Sequence, residues 1–163
     1  MSIISEVREK QNELIVMINT TFDEIVMQLE KQGLGENPYE AIYESEYPIT
    51  NATGFKGKKP IAVKIENKRI MTPTWKTVVE TILKEVMKEE EMKNKIMGLN
   101  DKLLGKVRSR LSKDATHMRS PMELCDGLYI ETHYDTETLM KLLIQILKEI
   151  SYDYSHMRII IKN

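Results

Sequence analysis

Cysteine is almost missing from this chain of 163 residues: Cys125 is the single one. That excludes an internal disulfide framework and a multi-cysteine zinc site. Long apolar runs are missing too. The longest stretches without a charged side chain cover nine residues, 14–22 and 47–55, against the roughly 20 needed to cross a bilayer. The opening residues, MSIISEVREKQNEL, have no apolar secretory core, so the expectation is a cytoplasmic protein with no membrane partner. Net charge is nearly absent as well, at −1 from 24 basic and 25 acidic residues. What is present is a 41% hydrophobic and 30% charged composition. At this length it reads as a folded globular chain with a real core.

The near-neutral total hides a separation. Residues 1–47 hold 3 basic and 10 acidic side chains, a balance of −7. Residues 48–130 hold 17 and 10, a balance of +7, and residues 131–163 hold 4 and 5. Such an asymmetry points to a basic binding surface or to an acidic arm that pairs with it.

Ile4, Val7, Leu14, Ile18, Phe22, Ile25 and Leu29 recur at helical spacing, with Ser5 near the start and Gly33 and Gly35 as stop signals. The stripe begins like a heptad repeat and shifts by one position between Ile18 and Phe22. Packing on its own domain is the favoured use of such a helix, and a two-stranded coiled coil is the alternative. Residues 33–60 are punctuated by glycine and proline and form a joint, with a short helical turn expected from Pro38 to Glu46.

The main domain opens with alternating Ile61, Val63 and Ile65, a turn at Asn67-Lys68 and a returning strand at Arg69–Met71. Thr72-Pro73 marks a helix start. The stripe of Trp75, Val78, Val79, Ile82, Leu83, Val86 and Met87 carries that helix on towards Gly98, with Glu80–Lys84, Glu89–Lys93 and Glu91–Lys95 pairs on its wet side. A brief further turn is expected at Asp101–Leu104. Leu128 to Tyr134 has strand character. Asp135 can cap a helix over Thr136–Glu149, and Met157–Ile161 closes the chain as a strand. That last strand–helix–strand run suits a right-handed crossover unit.

Chemistry concentrates between Gly105 and Pro121. From Asp101 to Pro121 there are six lysines or arginines and two aspartates. Lys106, Arg108 and Arg110 alternate, with Lys113 and Arg119 further on. Cations set among serine and threonine hydroxyls are the groups that hold phosphate oxygens. A solvated basic loop, or one that neutralises the acidic arm, is the commoner use of such a run. Few aromatic residues lie nearby for base stacking. Lys56, Lys58 and Lys59 sit among glycines before the first strand, a weaker phosphate-loop signal that matches no nucleotide-binding fingerprint.

Other groups carry less. Glu66 and Lys68 are spaced as in metal-dependent nucleases, but they fall in a hairpin turn. Glu131 and His133 share a strand face, where a surface pair is commoner than a metal site. Cys125 has Leu124 and Met122 close in sequence, which suggests burial and argues against a nucleophile.

The order of these segments resembles a small, little-characterised bacterial domain that stands alone or is appended to restriction-type and phage-defence proteins. The resemblance runs over residues 60–163, through Thr72-Pro73-Thr74-Trp75-Lys76, Gly105-Lys106, Arg108, Leu111-Ser112, Met118-Arg119-Ser120-Pro121 and Leu128–Thr132. It implies a DNA-associated, genome-defence context and transfers no catalytic residues.

The expected fold is α+β: an acidic helical arm and linker over residues 1–47, then a domain over 48–163 with a small mixed sheet covered by two main helices. The expected function is a non-enzymatic nucleic-acid-binding module using Lys56, Lys58, Lys59, Lys106, Arg108, Arg110, Lys113 and Arg119, with no cofactor or metal. The alternative is a protein-interaction or homodimer module acting through residues 3–29. A metal-dependent nuclease ranks third.

Overall fold

The computed structural model describes residues 2–31, 44–105 and 108–162. The chain divides into a unit of residues 1–44 and a unit of residues 45–163.

The first unit contains helix α1, Ile3–Lys31. Its start is set by Ser2, whose hydroxyl accepts the Ser5 N–H at 3.2 Å, so Ser2 rather than Ser5 caps it. Thr20 and Thr21 return their hydroxyls to the carbonyls of Val16 and Met17, both at 2.9 Å, which satisfies them within the helix. Leu14, Ile18, Phe22 and Ile25 of the apolar stripe are exposed.

The second unit begins with strand β1, Glu44–Pro48. The helical turn expected up to Glu46 therefore ends in a strand, and the rest of it lies outside the described residues. A 3-10 turn at Ala52–Phe55 follows. Strands β2, Pro60–Ile65, and β3, Lys68–Met71, form an antiparallel hairpin. Ile65 faces Lys68, so the two-residue loop is Glu66-Asn67, one position earlier than expected. Helices α2, Trp75–Val86, and α3, Glu90–Met97, replace the single long helix. Next come β4, Leu111–Ser112, β5, Pro121–Cys125, and β6, Leu128–Glu131. Helix α4, Thr136–Glu149, and strand β7, Arg158–Lys162, complete the chain.

The α+β class is as expected, but the strands form two sheets rather than one mixed sheet. One has the order β1-β7-β2-β3 and the other β4-β6-β5. β7 runs antiparallel to β2, and β6 runs antiparallel to both its neighbours. The crossover unit expected from the last strands does not form. Both edges of β6 are taken by β4 and β5, so β7 joins the other sheet, and α4 connects the two sheets. Both sheets still share one core. Val78, Val79, Ile82, Leu83 and Val86 of α2 and Leu142, Leu143 and Ile146 of α4 are fully buried, in one cluster with Val63, Ile130 and Ile159 from the strands.

Helix ends explain the other departures. Thr74, not Thr72, caps α2: its hydroxyl accepts the Thr77 N–H at 3.1 Å, and the Thr77 hydroxyl accepts the Thr74 N–H at 3.0 Å. This reciprocal pair satisfies two donors that an uncapped end would leave open. Thr72 is instead fully buried before the helix. Between α2 and α3 the N–H groups of Lys88 and Glu89 turn to carbonyls three residues back, and Glu89 becomes extended. Lys93 consequently pairs with Asp126 at 3.0 Å instead of Glu89. The pairs Lys84–Glu80 and Lys95–Glu91 form as the spacing suggests. Asp101 has a positive φ of 58° and donates its N–H to the Leu111 carbonyl, so no helix forms there.

Phe55 is fully buried, with its ring 4.9 Å from that of Trp75. Trp75 also donates its indole N–H to the Lys58 carbonyl at 2.8 Å, which ties the lysine loop to α2. Phe55→Ala is expected to cost about 3–5 kcal/mol, the usual range for emptying a buried aromatic site. Urea unfolding followed by fluorescence of the chain's one tryptophan measures this directly. A loss under about 1 kcal/mol would contradict the packing described.

Candidate nucleic-acid interface

The basic segment is organised around the end of β6. The Glu131 N–H donates to the Arg110 carbonyl at 2.9 Å, continuing the ladder beyond Leu111 and Ser112. Arg110 in turn donates its N–H to the Leu103 carbonyl at 2.7 Å. Leu104 and Ser109 form an isolated antiparallel bridge, and the Gly105 N–H reaches the Arg108 carbonyl at 2.8 Å. A side chain at Gly105 would sit 3.2 Å from that carbonyl oxygen, so the approach favours glycine. Lys106 lies outside the described residues.

The Glu131 side chain anchors the far end of the same segment. Its carboxylate is buried and accepts the N–H groups of Arg119 at 2.7 Å, Ser120 at 2.9 Å and His133 at 3.0 Å. Thr132 adds a hydroxyl bond to the Ser120 carbonyl at 2.7 Å. Burial pushes the Glu131 carboxyl up, but the backbone donors of His133, Arg119, Ser120 and Thr132 outweigh it and hold the group below the ordinary value of 4.5.

The two anchored ends bring Arg108, Arg110 and Arg119 to one cleft of about 330 Å³, lined also by Gly105, Glu131, His133 and Tyr134. Arg108 is held by a bond from its guanidinium to the His117 carbonyl at 2.8 Å. Arg110 stacks over Tyr134, with its central carbon 5.6 Å from the ring centre. Its Nε is buried and has no hydrogen-bond partner. Burial raises the Tyr134 phenol, the Arg110 and Arg108 charges lower it, and Glu131 raises it, with a net rise. No carboxylate lies within ion-pair distance of any of the three guanidinium groups among the described residues. A second hollow, of about 380 Å³, opens beside Arg108 and is lined by Asp101 and Asp114 as well as Ser109, Ser112 and His117. Asp114 stays ionised there, held low by the Thr116 hydroxyl and N–H. Two aspartates against one arginine make that hollow the poorer place for an anion.

The remaining basic candidates lie elsewhere. Lys113 is exposed, lines neither hollow, and donates its N–H to Asn100 at 2.8 Å. Lys58 and Lys59 are exposed on the loop fixed by Trp75 and by the Lys162 N–H. Lys56 sits at the start of α4. Asp135 there is held low first by Thr138 and further by the Lys56 charge.

The weaker candidates have structural roles. Glu66 occupies the β2–β3 turn with a positive φ of 53°, and Lys68 reaches Glu85 at 4.0 Å. Cys125 packs its sulfur 3.4 Å from that of Met97 and 3.5 Å from that of Met87, and burial raises its thiol. Among the described residues no three His, Cys, Asp or Glu side chains converge on a metal site, and no helix is long and apolar enough to cross a membrane. No family model matches the chain, nor does any curated protein or solved structure compared with it.

The Glu131 carboxylate gives a pH prediction. Its folded value lies below the unfolded one, so its stabilisation is present above pH 4.5 and is lost as pH falls through the folded value. Glu131→Gln leaves backbone donors facing an amide and is expected to cost about 1–3 kcal/mol at neutral pH. Urea unfolding at neutral and acid pH checks this. The gap between wild type and variant narrows in acid, and a gap independent of pH contradicts the role assigned to the carboxylate.

Proposed function

We propose that the unit of residues 45–163 is a non-enzymatic nucleic-acid-binding module that takes phosphate through Arg108, Arg110 and Arg119. The observation that supports this reading most is the placement of three guanidinium groups on one cleft without carboxylate ion pairs among the described residues. Planar guanidinium forks match phosphate oxygens, and charge-assisted bonds of this kind are the strong ones. Lys56, Lys58, Lys59 and Lys113 would add outer, salt-screened attraction. The resemblance to defence-associated domains favours DNA as the partner.

Binding to DNA and RNA strands across a salt series tests the proposal. Affinity is expected to rise as salt falls, and Arg119→Ala is expected to flatten the logarithmic salt slope by about 0.7, the share of one phosphate contact on a single strand. No binding to either polymer at low salt would sink it.

A second reading concerns residues 3–29. Leu14, Ile18, Phe22 and Ile25 are 52%, 52%, 62% and 46% exposed along one helix. Their spacing of four, four and three residues carries a stutter, a feature coiled coils accommodate by local unwinding. A second copy of this chain is the partner such a stripe fits. Light scattering is expected to give a dimer mass for the wild type and a monomer mass for the Leu14→Glu, Ile18→Glu double variant. A monomeric wild type eliminates this reading.

A further inference from the structure

We infer that the arginine cleft takes the terminal phosphate of a nucleic-acid strand in preference to the diesters along it, an inference that rests on the nucleic-acid reading above. The charges of the cleft match a monoester. Among the described residues, three arginines stand against one carboxylate, Glu131, on the cleft wall, a local balance of +2. A phosphomonoester carries about −1.5 to −2 at neutral pH and three strong acceptor oxygens. A diester within a strand offers one negative charge and two free oxygens, which leaves one arginine without a matched partner.

The layout points the same way. The three arginines surround a single cleft, and neither Lys113 nor Lys58 and Lys59 line it. Donors placed around one concavity suit an end group that can be enclosed, whereas a strand passing through needs cations along a track. Two of the three donors are also held in place before any ligand arrives. Arg108 is fixed by the His117 carbonyl and Arg110 by the Tyr134 ring. Glu131 does not compete for these donors, because its oxygens are taken by the N–H groups of Arg119, Ser120 and His133.

The experiment compares one short DNA sequence in three forms: 5′-phosphorylated, 3′-phosphorylated, and hydroxyl at both ends. Each competes at low salt against a fluorescent strand for the full-length protein. At least one phosphorylated form is expected to bind about ten-fold more tightly than the hydroxyl form, the scale of one added charge-assisted bond. Arg110→Lys keeps the charge but loses the fork, and is expected to abolish the preference. Arg119→Ala, at an exposed position, is expected to weaken it and does not depend on the fold tolerating a change at Arg110. Equal binding of all three forms overturns the end-group inference and leaves the backbone reading standing. A preference that survives both variants overturns the assignment to this cleft. Absence of binding by every form overturns the nucleic-acid reading itself.

Discussion

The bonds to the buried carboxylate of Glu131 are the constraint on which the basic surface depends. Burying a charge costs several kcal/mol unless donors replace its lost water. Here the replacements are backbone N–H groups at Arg119, Ser120 and His133. The same residue holds Arg110 through its main chain. One position at the end of β6 therefore fixes both ends of a long, cationic connection. It does so without an ion pair to any of the arginines it arranges. That distinction matters, because a carboxylate bound to guanidinium would have cancelled the charge that the cleft presents.

The rest of the domain distributes charge in a consistent way. The +7 balance of residues 48–130 reads in sequence as a diffuse surplus. In the fold, Lys64, Lys84, Lys88, Lys93 and Lys95 each face a carboxylate. Exposed pairs of this kind add little stability. Their importance here is that they neutralise helix and sheet surfaces and leave Arg108, Arg110 and Arg119 as concentrated cations. Apart from Glu46, which pairs with Lys64, the acidic residues of 1–47 belong to the other unit, whose apolar helix stripe calls for a different kind of partner.

Much of the fold was legible because it depends on local periodicity. The α2 and α4 stripes, the β2 alternation and the Asp135 cap all follow from residues within a turn or two of one another. The misreadings arise where distant groups decide. Thr72-Pro73 looks like a helix start until Thr74 and Thr77 cap each other. The run from Trp75 to Gly98 looks continuous, but the N–H groups of Lys88 and Glu89 turn to carbonyls three residues back and Glu89 becomes extended. The closing strand suits a crossover beside β6, but it pairs with β2, because strand pairing is a long-range choice. At the site, the arginines were visible as a basic run, whereas Glu131 looked like an ordinary strand residue. Its role is set by N–H groups eleven and twelve positions upstream, at Ser120 and Arg119, which spacing cannot reveal. Tyr134 was likewise read as strand, and its stacking under Arg110 needs the fold.

The cleft's role as a phosphate site can be observed directly by nuclear magnetic resonance. Full-length, isotopically labelled protein is titrated with a short DNA strand at low salt, and the arginine Nε–Hε and backbone amide signals are followed together. The Arg108, Arg110 and Arg119 side-chain signals are expected to shift in parallel, with the amides of Ser120 and His133 following. Shifts confined to other surfaces, with these three arginines unmoved, would contradict the cleft as the binding site.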